Sequence, residues 1–322
     1  MNCMNTLAIE TNASTTSMSS RELLLQHPSG AVYTTARTCL NGSHILEWKA
    51  HIERTAGSVA VLLREEKKEK DTANALFVSN PLLLRQRLDA SVQSALRHHR
   101  EKHQYENNSY TMELRITVVV VDAVSSEPKV CCHVTQLPPI PNPPINVEIR
   151  DAPNRSHASA KDSSWVIRRS PLEKLLNNDM HEFLLMDSKT KLIYEGSQTN
   201  FYAIHKNGTV YTAEDGILHG TIRTLVLQVC HEHQVPVILQ PPALHNVDQW
   251  EGALLSSTSR LALPIDALYL PKESELSRHP QDLVRIFNYS NTNPKKGEDC
   301  LTKQLQQWVS EKVIKCSTPI LL

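Results

Sequence analysis

Residues 137–144 read Leu-Pro-Pro-Ile-Pro-Asn-Pro-Pro. No other stretch constrains this chain as strongly. Five prolines in eight positions fix φ and remove five amide donors, so the segment can be neither a helix nor a central strand. It divides 322 residues into two parts, each long enough to bury a core of its own. The expected organisation is a disordered tail over 1–22, an α/β domain over 23–136, a Pro-rich linker over 137–145, and a second domain over 146–322.

Periodicity fills in the two parts. Before the seam, 31–39 and 112–121 are rich in β-branched residues and read as strands, with helices over 47–64 and 80–99 between them. After it, 182–187, 201–205, 209–213 and 235–239 read as strands. The pair Asn207-Gly208 supplies the positive φ angles of a hairpin turn. Helices are expected over 221–233, 242–249 and 301–313. The first 20 residues, rich in Ser and Thr and lacking Lys and Arg, suit neither a secretory signal nor a transit peptide and read as a frayed tail. The charged run 64–70 reads as an exposed surface. The His-rich run 97–108 reads as a solvated helix end and loop, because nothing in it implies the convergent geometry of a metal site.

Charge narrows the function classes. Lys plus Arg and Asp plus Glu are 34 each, so there is no electrostatic reason to expect nucleic acid as a partner. No apolar run approaches a membrane span. Seven cysteines, an odd number with no CxxC pair, read as thiols of a reducing compartment, the cytoplasm.

Several weak chemical signals occur together. Gly220 precedes a strongly helical pattern, and the amides of Thr221 and Ile222 at such a helix start suit an anion. The plain alternative is a glycine turn before a helix. His51 and Arg54 lie three apart on a helix and share a face. Arg54 could clamp a phosphate, or pair on the surface with Glu47 or Glu53. Residues 254–260, Leu-Leu-Ser-Ser-Thr-Ser-Arg, end an apolar strand in hydroxyl and guanidinium groups, which suit phosphate oxygens or simply a polar strand exit. Lys161 sits among small residues, 34 positions before Glu195. One lysine and one carboxylate beside a phosphate cradle are what pyridoxal 5′-phosphate needs. The lysine forms a Schiff base, and the carboxylate keeps the pyridine nitrogen protonated and the ring a strong electron sink. A lone Glu at a strand end in water is the competing reading.

Together these segments resemble a known family. Residues 195–202 (Glu-Gly-Ser-Gln-Thr-Asn-Phe-Tyr), 207–213 and 215–223, with Lys161 upstream and Val-Tyr-Thr-Thr-Ala-Arg and His-Ile-Glu-Arg near the start, resemble class IV aminotransferases. These are fold-type IV pyridoxal-phosphate enzymes that include branched-chain and D-amino-acid aminotransferases and aminodeoxychorismate lyases. The likeness extends over roughly 31–315 and is nearest to a plant-type aminotransferase-like branch. It implies a mixed α/β (α+β) fold with a smaller N-terminal α/β domain and a larger, β-barrel-like C-terminal domain with helices. Amino-acid and 2-oxo-acid substrates and a homodimer are also implied. By the same resemblance Lys161 is the Schiff-base lysine and proton shuttle, and Glu195 the pyridine-nitrogen partner. Arg54, Thr221, Ile222 and Thr258 bind phosphate, while Tyr33 and Arg115 lie on the substrate side. Lys174 is a rival lysine, set too close to Glu195 and in a helical context.

Three departures from the family pattern stand out. The hairpin ending in Asp-Arg-Gly is missing ahead of Tyr33. The aromatic five residues after the lysine is Val166, and a threonine of the phosphate turn is Ile222. An aminotransferase is the first expectation, a lyase on the same cofactor the second, and an inactive cofactor- or partner-binding relative the third.

Overall fold

The structure is a computed structural model that describes residues 5–65, 76–104, 113–152, 155, 157–271, 283–289 and 300–320. Residues 66–70 of the charged run and 105–108 of the His-rich run lie outside them. The chain forms two compact units. The first comprises Met1–Pro138, Ser159–Arg168 and Val313–Leu322; the second comprises Pro139–Ala158 and Arg169–Lys312. Two segments from beyond the proline seam therefore belong to the first unit, where a single continuous second domain was expected. No described helix is long and apolar enough to cross a membrane.

The first unit begins with β1 (Asn5–Ile9) and β2 (Asn12–Thr16), followed by α1 (Ser20–Leu25). It continues through β3 (Val32–Cys39), β4 (His44–Leu46), α2 (Trp48–Glu65), α3 (Leu76–Ser79), α4 (Pro81–Gln104), β5 (Leu114–Val121) and β6 (Lys129–Gln136). With β17 (Ser317–Pro319), the strands make one antiparallel sheet in the order β17-β4-β3-β5-β6-β1-β2. Leu84, Leu88, Val92 and Ala95 recur at helical spacing on α4 and pack with Ile116, Val118, Cys132 and Val134 of the sheet. Each fully buried aliphatic side chain of this kind contributes about 1.5–3 kcal/mol.

The expected disordered tail is instead the end of this sheet. β1 pairs with β6, placing Ala8 opposite Cys132, and Ala8 is fully buried in the core. Four polar links fasten the hairpin to α4. Arg87 Nε donates to Glu10 at 3.1 Å, and Ser94 Oγ to the Thr11 carbonyl at 2.6 Å. Thr6 Oγ1 meets His99 Nδ1 at 3.1 Å, and Thr15 Oγ1 meets His98 Nε2 at 3.3 Å. The hairpin was hard to read because its turn, Glu10-Thr11, carries no Gly or Pro and takes its positive φ at Glu10. Its strands are polar enough that only packing makes them strands. The same packing buries His99 and His103 within the His-rich run, where a solvated helix end was expected.

The second unit contains β7 (Asn146–Asp151), α6 (Ser170–Glu173), β8 (Glu182–Met186), β9 (Ile193–Gly196), β10 (Asn200–His205) and β11 (Val210–Tyr211). After α7 (Thr221–Glu232) come β12 (Val237–Ile238), a 3-10 helix over Leu244–Gln249, β13 (Trp250–Ser257), β14 (Leu261–Pro264), β15 (Ala267–Pro271) and β16 (Leu283–Asn288). The helix α8 (Leu301–Lys315) follows, and α5 (Ser164–Arg168) completes the set in the first unit. The strands form one mixed sheet, in which β10 pairs with β9, β11 and β13. The hairpin expected at Asn207-Gly208 is present: Gly208 has φ +80° and its amide donates to the His205 carbonyl at 2.8 Å. One face of the sheet buries Ile149, Leu184, Phe201, Trp250 and Leu255. Across the other face, register pairs Leu185 with Glu195, Glu195 with Asn200, and Asn200 with Ser256. Polar groups thus run across three neighbouring strands, β9, β10 and β13, on one side of a sheet whose other side is apolar.

Candidate active site

Lys161, Arg54, Tyr33 and Arg115 belong to the first unit. Lys161 is held by its backbone on both sides. The Tyr33 amide donates to the Lys161 carbonyl at 2.9 Å, and the Lys161 amide donates to Ser58 Oγ on α2 at 3.1 Å. Asp162 bridges antiparallel to Val32, and the Ser163 amide reaches the Ala31 carbonyl at 3.0 Å. The short segment after Ala160 is therefore laid along the start of β3. From there the Lys161 ammonium lies 4.8 Å from the centre of the Tyr33 ring. The rival, Lys174, ends α6 exposed to solvent.

Arg54 lies on the buried face of α2. Its Nη2 donates to Thr34 Oγ1 at 2.8 Å and points at His51 Nδ1 at 3.3 Å, while Thr34 Oγ1 and His51 Nδ1 are 2.7 Å apart. A guanidinium only donates, so His51 Nδ1 is an acceptor and the ring proton belongs on Nε2. Burial, and then the charges of Arg54 and Lys161, hold His51 well below the usual imidazole range. Burial pulls Arg54 down to about 10, with Tyr33 acting in the opposite direction. Among the described residues no carboxylate pairs with Arg54, and its buried Nε has no hydrogen-bond partner. Arg54 is half-buried, and a cation shielded from water without an anion is destabilising, a cost that a bound anion offsets. This arrangement fits the phosphate group of a cofactor.

Tyr33 sits in an apolar cluster with Leu23, Leu24, Ala31, Val119, Cys131 and Val166. Val166, one of the departures from the family pattern, is thus a packing residue. Arg115 is not brought to Lys161. It lies opposite Arg37, four residues along β3 from Tyr33, a separation of about 13 Å. There its Nη2 donates to Ser20 Oγ at 3.0 Å.

Glu195, Thr221, Ile222 and Thr258 belong to the second unit. Glu195 is 3% exposed, and both of its oxygens are engaged. Arg155 Nη1 donates to Oε1 at 2.8 Å, and the Leu218 amide donates to Oε2 at 3.0 Å. In the polar run after it Ser197, Thr199 and Asn200 are buried and hydrogen-bonded to groups outside the run, while Gln198 is exposed. Ser197 Oγ and Thr199 Oγ1 donate to Glu182 at 2.5 and 3.3 Å, and Arg260 lies 3.5 Å from the same carboxylate. Asn200 Nδ2 donates to the Leu218 carbonyl at 2.7 Å while its Oδ1 accepts the Gly220 amide at 3.2 Å. That side chain fixes the turn leading into α7.

Gly220 is the N-cap of α7, with no side-chain cap, and a Cβ there would overlap Asn200 Oδ1. The helix therefore begins in backbone amides that have no intrahelical acceptor, with Ile222 among them. Thr221 Oγ1 lies 3.4 Å from Thr258 Oγ1, so two hydroxyls flank the same helix start. Backbone amides and hydroxyls of one unit thus meet at this helix start, a set of donors that suits an anion. Thr34, Ser58, Arg155 and Asn200 were not anticipated. Thr34 and Asn200 stand inside recognised motifs, but only the folded chain shows what their side chains hold.

A family model described as amino-transferase class IV matches residues 31–268. A search of curated proteins finds no match. Among solved structures, a fold IV transaminase from Curtobacterium pusillum is 18% identical at a TM-score of 0.61, covering 82% of this chain and 92% of its own. The branched-chain amino acid aminotransferase of Thermobaculum terrenum, solved in its PLP form, is 13% identical at 0.65, covering 100% of both. A hypothetical aminotransferase from Mycobacterium tuberculosis, PLP-bound, is 13% identical at 0.64, covering 97% and 99%. At these identities the likeness is one of fold.

Proposed function

Because the chain belongs to the class IV aminotransferase family, we propose that it is a pyridoxal-phosphate-dependent aminotransferase, exchanging an amino group between an amino acid and a 2-oxo acid. The observation that carries this reading is the half-buried Arg54, which has no carboxylate partner among the described residues and lies in the same cluster as Lys161. When bound, the cofactor supplies the electron sink that stabilises negative charge at the substrate Cα. The chain supplies the rest. Lys161 would hold the cofactor through Nζ, and the same atom would hold and move the substrate proton. Its anchored backbone and the Tyr33 ring limit where that nitrogen can go, and Arg54 opposes a second positive charge beside it. Glu195 takes the pyridine nitrogen. Arg54, the amides of Thr221 and Ile222, and the Thr258 hydroxyl are assigned to the phosphate.

On the substrate side the apolar cluster around Tyr33 supports an amino acid with an apolar side chain, of the branched-chain type. A D-amino acid of similar size is the competing reading. Arg115 is assigned to the substrate side on the family pattern. The same pattern supports a homodimer, which light scattering checks.

The test uses the purified chain with added pyridoxal phosphate. A visible absorption band is expected, and Lys161→Ala is expected to abolish it; a wild type that stays colourless sinks the reading. Bleaching by L- or D-amino acids then identifies the substrate. Release of pyruvate from an aminodeoxychorismate-type substrate, with no stable amino form of the cofactor, would mark a lyase instead.

A further inference from the structure

The Arg155–Glu195 pair carries an inference that rests on the reading above and deepens it. Glu195 lies on β9 and Arg155 forty positions earlier in the chain, yet the two meet at 2.8 Å with both side chains almost wholly buried. The other charged groups on the surrounding elements are engaged elsewhere. Arg150 on β7 pairs with Glu148, Arg223 on α7 pairs with Glu214, and Glu182 on β8 receives Ser197, Thr199 and Arg260. The amide of Leu218 meets the second carboxylate oxygen. Among the described residues, Glu195 thus meets a donor on each oxygen, one of them a full positive charge.

We propose that Arg155 is a positioning residue for the pyridine-nitrogen carboxylate: it fixes the orientation of Glu195 and keeps it ionised. A carboxylate accepts about four hydrogen bonds, so the contacts of Arg155 and Leu218 are compatible with a further donor such as the protonated ring nitrogen. Without a cation beside it, a carboxylate this deeply buried takes up a proton more readily, because burial penalises the charged form. A protonated Glu195 presents a donor where the ring nitrogen needs an acceptor. Arg155 thus sets the acid boundary of cofactor function without touching the reacting atoms.

The test compares holoenzyme of the wild type, Arg155→Gln and Arg155→Lys between about pH 5.5 and 9 at limiting pyridoxal phosphate. Bound cofactor is read from its visible band, and kcat and KM are measured at each pH. In the Gln variant the acid edges of cofactor retention and of kcat are expected to move up by about one pH unit. KM above the edge should change little. The Lys variant, which keeps the charge but loses the planar fork, should recover part of the shift but not all of it. With Glu195→Gln as background, Arg155→Gln should add no further shift.

Gln-variant curves that superpose on the wild type, or that fall equally at every pH, overturn the inference, as does a further shift in the Glu195→Gln background. If the Gln variant does not fold, the Lys variant decides: a smaller upward shift supports the role, and none refutes it. A wild type with no visible band at any pH overturns the cofactor reading and this inference with it. A coloured wild type with unshifted variants overturns the inference alone.

Discussion

Arg54 Nη2 donates to Thr34 Oγ1 at 2.8 Å, so a hydroxyl stands where a half-buried arginine ordinarily meets a carboxylate. The unsatisfied charge is a cost to the cofactor-free chain and an advantage once an anion binds. Arg54→Met should weaken pyridoxal-phosphate binding by about 10- to 100-fold, the worth of a charged hydrogen bond of roughly 1.5–3 kcal/mol. The cofactor-free variant should be no less stable than wild type, because it loses an uncompensated half-buried charge. Urea titration of the apo form and a cofactor titration check both halves. Lower apo stability with unchanged affinity would make Arg54 a structural residue only.

Gly220 and Asn200 share a hydrogen bond that leaves no room for a side chain at Gly220. Gly220→Ala must displace Asn200, which also holds the Leu218 carbonyl. A loss of about 1–3 kcal/mol in stability is expected, together with at least tenfold weaker cofactor binding. Asn200→Ala should reproduce the binding defect without adding a methyl group. If Gly220→Ala binds normally, the turn before α7 is not part of the cradle.

The N-terminal hairpin is a sheet member with a buried alanine and four polar links to the rest of its unit. Removing residues 1–17 should expose the edge of β6 and lower the thermal midpoint well beyond what trimming a frayed tail would do. It should also raise the tendency to aggregate. Differential scanning fluorimetry and light scattering read both; a truncated chain that melts like the full one contradicts the packing described above.

The same hairpin should make the fold sensitive to acid. Burial, followed by the neighbouring histidines, holds His99 down at about 4, against 6.5 for a free imidazole. With the folded value depressed, the unfolded chain takes the proton first. The stabilisation is therefore fully present above about pH 6.5 and is lost as pH falls towards 4. A decline on the order of 2–3 kcal/mol over that window is expected. Urea unfolding at pH 7 and pH 5 measures it, and His99→Gln should flatten the dependence. An unchanged slope in that variant assigns the acid sensitivity to other groups.

Much of this was legible from local chemistry. The prolines at 137–144, the alternation over 31–39, and the helical spacing in α2, α4 and α7 announce themselves over a few residues, because each local conformation is set by its own φ limits and its own apolar period. The motif around Glu195 and the glycine before α7 were legible for the same reason. Arg155 was not. Nothing in its neighbours points to Glu195, forty positions later, and the pair exists only because β8 and β9 bring the carboxylate to it. His99 was misread because polarity suggests solvent, whereas the strand packed over it removes that solvent.

The sequence by itself determined that the chain falls into two parts and where most of its elements lie. Those depend on backbone stereochemistry, hydrophobic period and residue type, which are properties of short stretches. Only the tertiary structure decided which charges are left without counterions and which are paired. Arg54 is half-buried against a hydroxyl, whereas Glu195 is buried against an arginine. Burial and pairing arise when distant segments exclude water together, and no single stretch of chain contains that information.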